Sequence, residues 1–494
     1  MTVRRFDRPS TPPIEFGGDA ADTTEQWPTA GPRDGDIEAV SEVCPTSTDA
    51  VDTAEHSRDW WPLAMSWSLA NRVPARAWAV CRPRDTDEVS RLLAVCNVRG
   101  IPVTVSGGRS GVCGAAVPLA GGIVLDTGSM QGIGDIDAIS GIVEVLAGTY
   151  GPDLETATRE RGMTVGHYPQ SFDISTVGGW IASRGAGQYS TRYGKIDDMV
   201  HGLEVVLADG TVVRTGGAPA AAAGPDLTEI FLGSEGTLGV VTRAWLRAHP
   251  LPETERRAAY VLATFSDGLE ACRRAIRAGA TPAVLRLYDG PESKRSHGGD
   301  GTEATLLVLD EGTEAIVDAC MATVHDACLS LGARVADTAV VDAWMHHRND
   351  TSGLQALTRK GYVVDTMEVA APWGRLDAVV EQVETAMLAV AHARAATCHL
   401  SHSYLDGACL YFTFAATPPA GEIDTTYRAM WDAGQRAALA AGANLSHHHG
   451  VGVNRSPYVA DALGTGLQVL RAVKTALDPR GILNPGKLGL DASA

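Results

Sequence analysis

SGGRSGVCGAAVP, residues 106–118, follows directly on the apolar run IPVTVS at 101–106. A buried strand that ends in clustered glycines lets backbone N–H groups turn toward a ligand, the arrangement that cradles a phosphate or pyrophosphate. A plain turn is the competing reading of the same residues. The spacing matches neither GxGxxG nor a P-loop, so a nicotinamide site and a nucleotidase both lack support. Two further stretches shift the balance. HYPQSFDISTVGGWIASRGAGQYSTRYGKIDDMV (167–200) is long, rich in small and hydroxylated residues and without clear periodicity, a profile of binding loops rather than connections. GSEGTLGVVT (233–242) again sets glycines ahead of a strand. Together the three loops predict a large ligand with a pyrophosphate and two ring systems.

Around these loops the sequence reads as alternating strands and helices. ARAWAVCRP (75–83) predicts a strand. DTDEVSRLLAVCNVRG (85–100) predicts a helix with Val89, Leu92, Leu93 and Cys96 on one face and Gly100 as its stop. GIVLDTG (122–128), GIVEVLAG (141–148) and LGVVTRAWLRAHP (238–250) read as strands, GPDLETATRERG (151–162) as a helix, and HGLEVVLADGTVVRTGG (201–217) as a hairpin turning at Asp-Gly. From about residue 255 to 440 a second pattern predicts an α+β unit, a mostly antiparallel sheet covered by helices. Residues 1–58 are acidic and rich in Pro, Thr, Asp and Gly, and are expected to form a poorly ordered leader. The expected divisions are therefore 1–58, 59–250, 251–440 and a C-terminal segment, 441–494.

The chain has 494 residues and a formal net charge of −18. Its first sixty residues hold 13 acidic and 5 basic side chains, a share of −8, so the remainder is acidic too. That excludes non-specific binding to nucleic acid or an anionic membrane. No apolar run is long enough for a membrane span, and no apolar segment follows the N-terminal arginines as a secretory signal requires. Nine scattered cysteines without a CxxC pair fit a reduced, cytoplasmic protein. A small-molecule substrate is the expected partner, with a homodimer as the candidate assembly.

LSHHHGVG (445–452) carries three consecutive histidines, His447, His448 and His449. In an extended segment His447 and His449 face one side and His448 the other. Three readings stand: a proton-handling wall, a solvated polar loop, or a metal site with His402 as a third ligand. No carboxylate or cysteine sits at a ligand offset nearby, so no metal is expected.

The order of strand 101–106, the SGGRSG loop, STVGGWIASRGAG, GSEGTLGV and the tail ALDPRGILNPGKLG resembles the vanillyl-alcohol-oxidase/para-cresol-methylhydroxylase (PCMH-type) flavoprotein superfamily. Within it, PQSFDISTVGGW, RYGKIDDMV, GSEGTLGV, DGACLYFTF and LSHHHGVG are most similar to alkyldihydroxyacetonephosphate synthases and their bacterial relatives. The resemblance spans about residues 75–488. It implies an α+β fold, a two-subdomain FAD-binding domain plus a cap domain that holds the substrate. It implies that Ser106, Gly107, Gly108, Arg109, Ser110, Gly111 and Val112 wrap the FAD pyrophosphate. Gln170, Ser171, Asp173, Ser175 and Thr176, then Ser183, Arg184, Gly185 and Ala186, would line the rest of the cofactor. Glu235, Gly236, Thr237, Leu238, Gly239, Val240 and Val241 would complete that lining. Covalent members carry a histidine where Arg109 stands, so FAD is expected to be bound non-covalently. Tyr411 matches the family's catalytic tyrosine, and His447 to His449 match residues beside the flavin.

One departure concerns the substrate. The synthases place a phosphate-binding arginine nineteen residues before the tryptophan of the segment matched by MEVAAPW, which ends at Trp373. That position is Leu354, and Arg348 and Arg359 are the nearest arginines. A leucine cannot pair with a phosphate. The expected activity is therefore FAD-dependent oxidation of an alcohol, hydroxy acid or similar small substrate. The alternatives are ether-bond formation of the synthase type without net redox, and a glycolate- or D-lactate-type 2-hydroxy-acid dehydrogenase.

Overall fold

The computed structural model describes residues 3–6, 14–350 and 352–490. Sixteen strands in three sheets carry the argument. The first sheet contains β1 (Thr46–Ser47), β2 (Ala79–Cys81), β3 (Val103–Ser106) and β4 (Ile123–Asp126), in the order β1-β2-β4-β3. Its β2-β4-β3 portion is parallel and β1 is antiparallel. The second contains β5 (Ile133–Asp137), β6 (Ile142–Leu146), β7 (Val200–Val206), β8 (Val212–Gly216) and β9 (Val240–Arg247). It is antiparallel throughout, in the order β8-β7-β9-β6-β5. The two sheets form the half that carries the glycine loops.

The remaining strands are β10 (Thr254–Leu262), β11 (Val284–Tyr288), β12 (Ala304–Gly312), β13 (Arg334–Ala336), β14 (Val363–Pro372), β15 (Ala393–Ser403) and β16 (Gly407–Ala416). They build a seven-stranded antiparallel sheet, β13-β10-β12-β11-β15-β16-β14. The α+β expectation holds, including the antiparallel sheet covered by helices.

Register across this sheet separates chemistry from packing. Tyr288 lies opposite His399, His399 opposite Tyr411, and Tyr411 opposite Glu368, so four strands present one polar row on one face. The next row, Leu287, Leu400, Leu410 and Val369, points the other way, because side chains alternate along a strand. All four apolar residues are buried in the core beneath the covering helices.

Local sequence rules explain the helix that supports β7 and β9. The helix α2 (Thr86–Arg99) starts where the Asp85 carboxylate accepts the Glu88 N–H at 2.9 Å and stops where Gly100 turns left-handed at φ 65°. Its predicted face, Val89, Leu92, Leu93 and Cys96, is fully buried.

The acidic N-terminal stretch departs from expectation. Residues 1–2 and 7–13 lie outside the described residues. From Ile14 onward the segment is folded, with helix α1 (Asp36–Ser41) and strand β1 docked on the first sheet and Val40 and Cys44 in its core. Its carboxylates pair with arginines of the body: Asp36 with Arg99 at 2.7 Å, Asp52 with Arg82 at 2.6 Å, and Glu15 with Arg359. Composition counted those charges as solvated, whereas the fold neutralises them. On the far edge of the same sheet, the Val103 N–H donates to Ile482 at 2.8 Å and the Asn484 N–H to Val103 at 2.7 Å. Segments from both ends of the chain thus cover its two edges.

Leu400→Ala opens a cavity at the centre of the apolar row and is expected to cost about 2–5 kcal/mol. A drop in apparent Tm is the readout.

Candidate active site

The glycine loops and the polar face of the seven-stranded sheet close on one cavity of about 680 Å³, within the range of cofactor and small-molecule sites. All seven residues of the first loop, Ser106 to Val112, line it. The loop packs so closely that side chains are excluded. A Cβ on Gly107 would stand 2.4 Å from Thr176 Oγ1, and one on Gly108 would stand 2.3 Å from the Ile174 carbonyl oxygen. Arg109 sits at φ 53°, with its guanidinium bonded to the Glu55 carbonyl.

The second loop contributes Gln170, Ser171, Ser175, Thr176, Ser183, Gly185 and Ala186 to the wall. It is less irregular than expected. Helix α3 (Val177–Ser183) begins where the Thr176 hydroxyl accepts the Gly179 N–H, and short turns of helix follow at Ser190–Tyr193 and Ile196–Met199. The third loop contributes Glu235, Gly236, Gly239 and Val241.

Six expected site residues do not face the cavity. Asp173 is exposed. Arg184 adopts the left-handed conformation that ends α3 and turns to Asp197 at 2.7 Å and Glu229 at 3.2 Å. Thr237 bonds back to the Ser234 carbonyl at 2.7 Å, while Leu238 and Val240 are core residues. His447 is the sixth.

The histidine segment is not extended, and Glu368 on β14 explains why. Its Oε1 accepts three successive backbone N–H groups, from His447 at 3.2 Å, His448 at 3.0 Å and His449 at 2.8 Å. The chain therefore curls around one carboxylate oxygen, a nest built on an anion. Ser446 adds a hydroxyl at 2.7 Å, and the fully buried Arg455 closes the other side in a direct ion pair. Burial alone would raise the Glu368 pKa, but the Arg455 guanidinium outweighs it and holds the carboxyl ionised, well below its usual range.

This curl turns His448 and His449 into the cavity and His447 away from it. His447 stacks on His402 at 5.0 Å and its Nε2 is 2.6 Å from the Tyr404 hydroxyl. Burial pushes the His447 imidazole down to about 3, so it is neutral. His402, His447 and His448 bring one ring nitrogen each within 4.8 Å of one another. Hydrogen bonds engage all three rings, His402 Nδ1 with Ser190 at 2.6 Å, His447 Nε2 with Tyr404 and His447 Nδ1 with His448 Nδ1 at 2.8 Å.

Tyr411 stands in the polar row. Its hydroxyl accepts from Thr366 at 3.2 Å and lies 3.2 Å from His449 Nε2. His449 Nδ1 is 3.2 Å from Glu368 Oε2, near enough for charge interaction but off the line of a hydrogen bond. Burial, with Glu368 opposite, raises the Tyr411 pKa, so the phenol stays protonated. Next in the row, the His399 ring stacks on Tyr411 at 4.9 Å, with Nδ1 bonded to Glu292 at 2.8 Å and Nε2 to Arg286 at 2.6 Å.

Residues 77–216 match the FAD binding domain, and residues 251–488 match the C-terminal domain of FAD linked oxidases. The glycolate oxidase subunit GlcD of Bacillus subtilis is 31% identical over 436 residues, covering 86% of this chain and 92% of that protein. The chain belongs to the FAD-linked oxidase family. Solved structures agree on the fold of this FAD-linked oxidase. An alkyldihydroxyacetonephosphate synthase superposes with a TM-score of 0.79 at 22% identity, over 97% of this chain and 89% of that one. p-Cresol methylhydroxylase with substrate bound superposes with a TM-score of 0.74 at 18% identity, over 92% and 96%. The fold is thus the PCMH-type FAD-binding fold, and FAD is the cofactor of this FAD-linked oxidase. Its residues fit that cofactor. The two glycines exclude side chains along the first loop, and the buried Ser106 Oγ and Asp59 Oδ2 in the wall have no protein partner.

Glu368, Arg286 and Asp59 were not anticipated. For the first two a signal exists: a charged residue inside an otherwise apolar strand, VLRLY (284–288) and TMEVAA (366–371), demands a buried partner. Among the described residues no helix is long and apolar enough to cross a membrane.

Gly108→Val drives a side chain into the Ile174 carbonyl and is expected to yield apoprotein, read as flavin absorbance per polypeptide after purification. Glu368→Gln leaves Arg455 buried without its counter-charge and should destabilise the fold by about 3–5 kcal/mol, measured by denaturant unfolding. Stability equal to the wild type would show that the histidine segment does not depend on this carboxylate.

Proposed function

We propose that this FAD-linked oxidase oxidises an alcohol or hydroxy acid at a carbon held between the glycine loops and Tyr411. The observation that carries this reading is the line Glu368–His449–Tyr411, a carboxylate, an imidazole and a phenol in succession at the cavity wall. FAD, where bound, supplies the acceptor for the hydride that leaves the substrate carbon. The Ser106–Val112 loop holds the pyrophosphate with backbone N–H groups, and the cavity-lining residues of the other two loops hold the remainder. The association is non-covalent, since Arg109 occupies the position after the paired glycines and is tied to Glu55.

The chain's own groups manage the proton. Thr366 donates to the Tyr411 oxygen, which directs the phenolic O–H toward His449 Nε2. The substrate hydroxyl gives its proton to the Tyr411 oxygen as the Tyr411 proton moves to His449. Glu368, fixed in its nest, stabilises the imidazolium that results, the logic of a carboxylate behind a general base. His448 stays neutral, because burial holds its pKa well below normal, and it offers a hydrogen bond without adding charge.

Leu354 supports a substrate other than that of the ether-forming synthases. It packs in an apolar cluster with Trp60, Met65 and Ile174, where a phosphate would find no partner. Arg359 is paired with Glu15 and does not line the cavity.

Anaerobic addition of an alcohol or hydroxy acid that is a substrate should bleach the flavin. Tyr411→Phe should retain FAD and lose at least about 100-fold in the rate of bleaching. Turnover of acyl-dihydroxyacetone phosphate with a fatty alcohol, without bleaching, would overturn the oxidative reading. Stoichiometric zinc or manganese in active enzyme would instead make the histidine cluster a metal centre of a hydroxy-acid dehydrogenase.

A further inference from the structure

The segment from Asp49 to Asp59 runs along the first glycine loop and meets the loop or its supporting strands at three points. The Glu55 carbonyl, at the end of the short helix Ala50–Glu55, accepts from the Arg109 guanidinium. His56 Nε2 lies 3.3 Å from Asp126 Oδ2. Asp126 stands opposite Ser106, the first residue of the loop, where β3 and β4 pair. Thr127, next in the chain, donates its hydroxyl to the Ser106 carbonyl at 3.0 Å. Asp59 ends the segment in the cavity wall, where a Cβ on Gly111 would stand 3.6 Å from its Oδ2.

His56 is buried, and each of its ring nitrogens faces an acceptor. Nδ1 lies 2.9 Å from the Asp52 carbonyl and 3.0 Å from Asp52 Oδ1, while Nε2 faces Asp126. A neutral imidazole has one N–H, so only the imidazolium donates on both sides. Burial alone would lower the His56 pKa, but Asp126 and Asp52 outweigh both burial and the Arg109 charge, and raise it. Arg82, which follows β2, reaches Asp52 at 2.6 Å and Asp126 at 3.4 Å. The charged groups around the ring are thus Asp52 from its own helix, Asp126 from β4, Arg82 from the end of β2 and Arg109 from the loop. The two carboxylates balance Arg82 and the imidazolium. Loss of the His56 proton breaks one bond of this bridge and leaves an uncompensated negative charge beneath a loop that is read as an anion cradle.

We propose that residues 52–59 are a strap that holds the first glycine loop in its cofactor-binding shape, and that His56, as an imidazolium, is the positioning residue that fastens it. This rests on the reading that the loop holds the FAD pyrophosphate. The fastening is complete below the ordinary histidine pKa of about 6.5. Because the folded value is raised, the fastening persists above that pH and is lost as pH rises through the folded value. Cofactor retention therefore fails on the alkaline side while the fold persists.

The test uses the full-length, FAD-loaded enzyme. Free-FAD fluorescence is followed after dilution between about pH 6 and about pH 10, with far-UV circular dichroism on the same samples. The FAD release rate is expected to rise at least about tenfold with pH, along a one-proton curve and at unchanged circular dichroism. His56→Gln, which cannot carry the charge, should release FAD at the fast rate at every pH. Asp52→Asn removes one of the carboxylates that hold the proton, so the rise should move to lower pH, a shift that a merely structural role would not produce. A release rate in wild type that ignores pH, or a wild-type profile in both variants, overturns the proposal, as does release that occurs only with loss of circular dichroism. If Gly108→Val is apoprotein while His56→Gln keeps the wild-type profile, the strap is wrong and the loop reading stands. If His56→Gln abolishes the pH dependence while Gly108→Val retains FAD as firmly as wild type, the loop reading is wrong and the pH-sensitive strap stands.

Discussion

Everything at the histidine end of the cavity hangs on one carboxylate. Glu368 is buried beside Arg455, and three consecutive backbone N–H groups converge on its Oε1. A charge taken out of water is retained only when it is paired and its oxygens are fully hydrogen-bonded, and here both conditions are met. The same bonds set the direction of His448 and His449. A second carboxylate works alongside it. Glu235, at φ 49°, accepts the Gly452 N–H at 2.9 Å while its own carbonyl accepts from Asn484 at 2.6 Å. One acid from the seven-stranded sheet and one from the third glycine loop thus grip the two ends of HHHGVG, which ties the halves of the molecule together at the cavity wall.

The seven-stranded sheet shows how this arrangement is compatible with stability. Alternate registers do separate work: Tyr288, His399, Tyr411 and Glu368 face the cavity, while Leu287, Leu400, Leu410 and Val369 pack against helices. Each polar member has a partner from outside the row, Arg286 for Tyr288, Glu292 for His399, Thr366 for Tyr411 and Arg455 for Glu368. The polar row is therefore a set of partnered groups rather than isolated buried ones.

Much of this was legible in the sequence, for identifiable reasons. The glycine loops announce themselves because close backbone approach permits nothing larger, as the contacts at Gly107 and Gly108 confirm. The helix at 86–99 is written in its Asp85 cap, its apolar period and Gly100. The inward or outward sense of loop residues was not legible. Arg184 and Leu238 sit inside matched motifs yet point to Asp197 and into the core, because a motif conserves a path of the backbone and only some side chains along it face the ligand. His447 was misread for a similar reason. Period-2 alternation applies to a strand, and three N–H groups drawn to Glu368 bend the segment out of one. Partners far apart in sequence, such as Glu368 with Arg455 or Asp36 with Arg99, leave no local trace, so the acidic N-terminal stretch looked unfoldable when its charges were counted without their counter-ions.

The small parallel sheet beneath the first glycine loop is flanked by Thr46–Ser47 on one edge and by Ile482–Asn484 on the other. Unpaired strand edges are templates for association between molecules. Among the described residues the chain itself covers both edges, Thr46–Ser47 along β2 and Ile482–Asn484 at Val103, where β3 begins. Edge protection and the first glycine loop are thereby coupled: a molecule that lost either flanking segment would expose an adhesive edge and loosen the strand from which that loop springs.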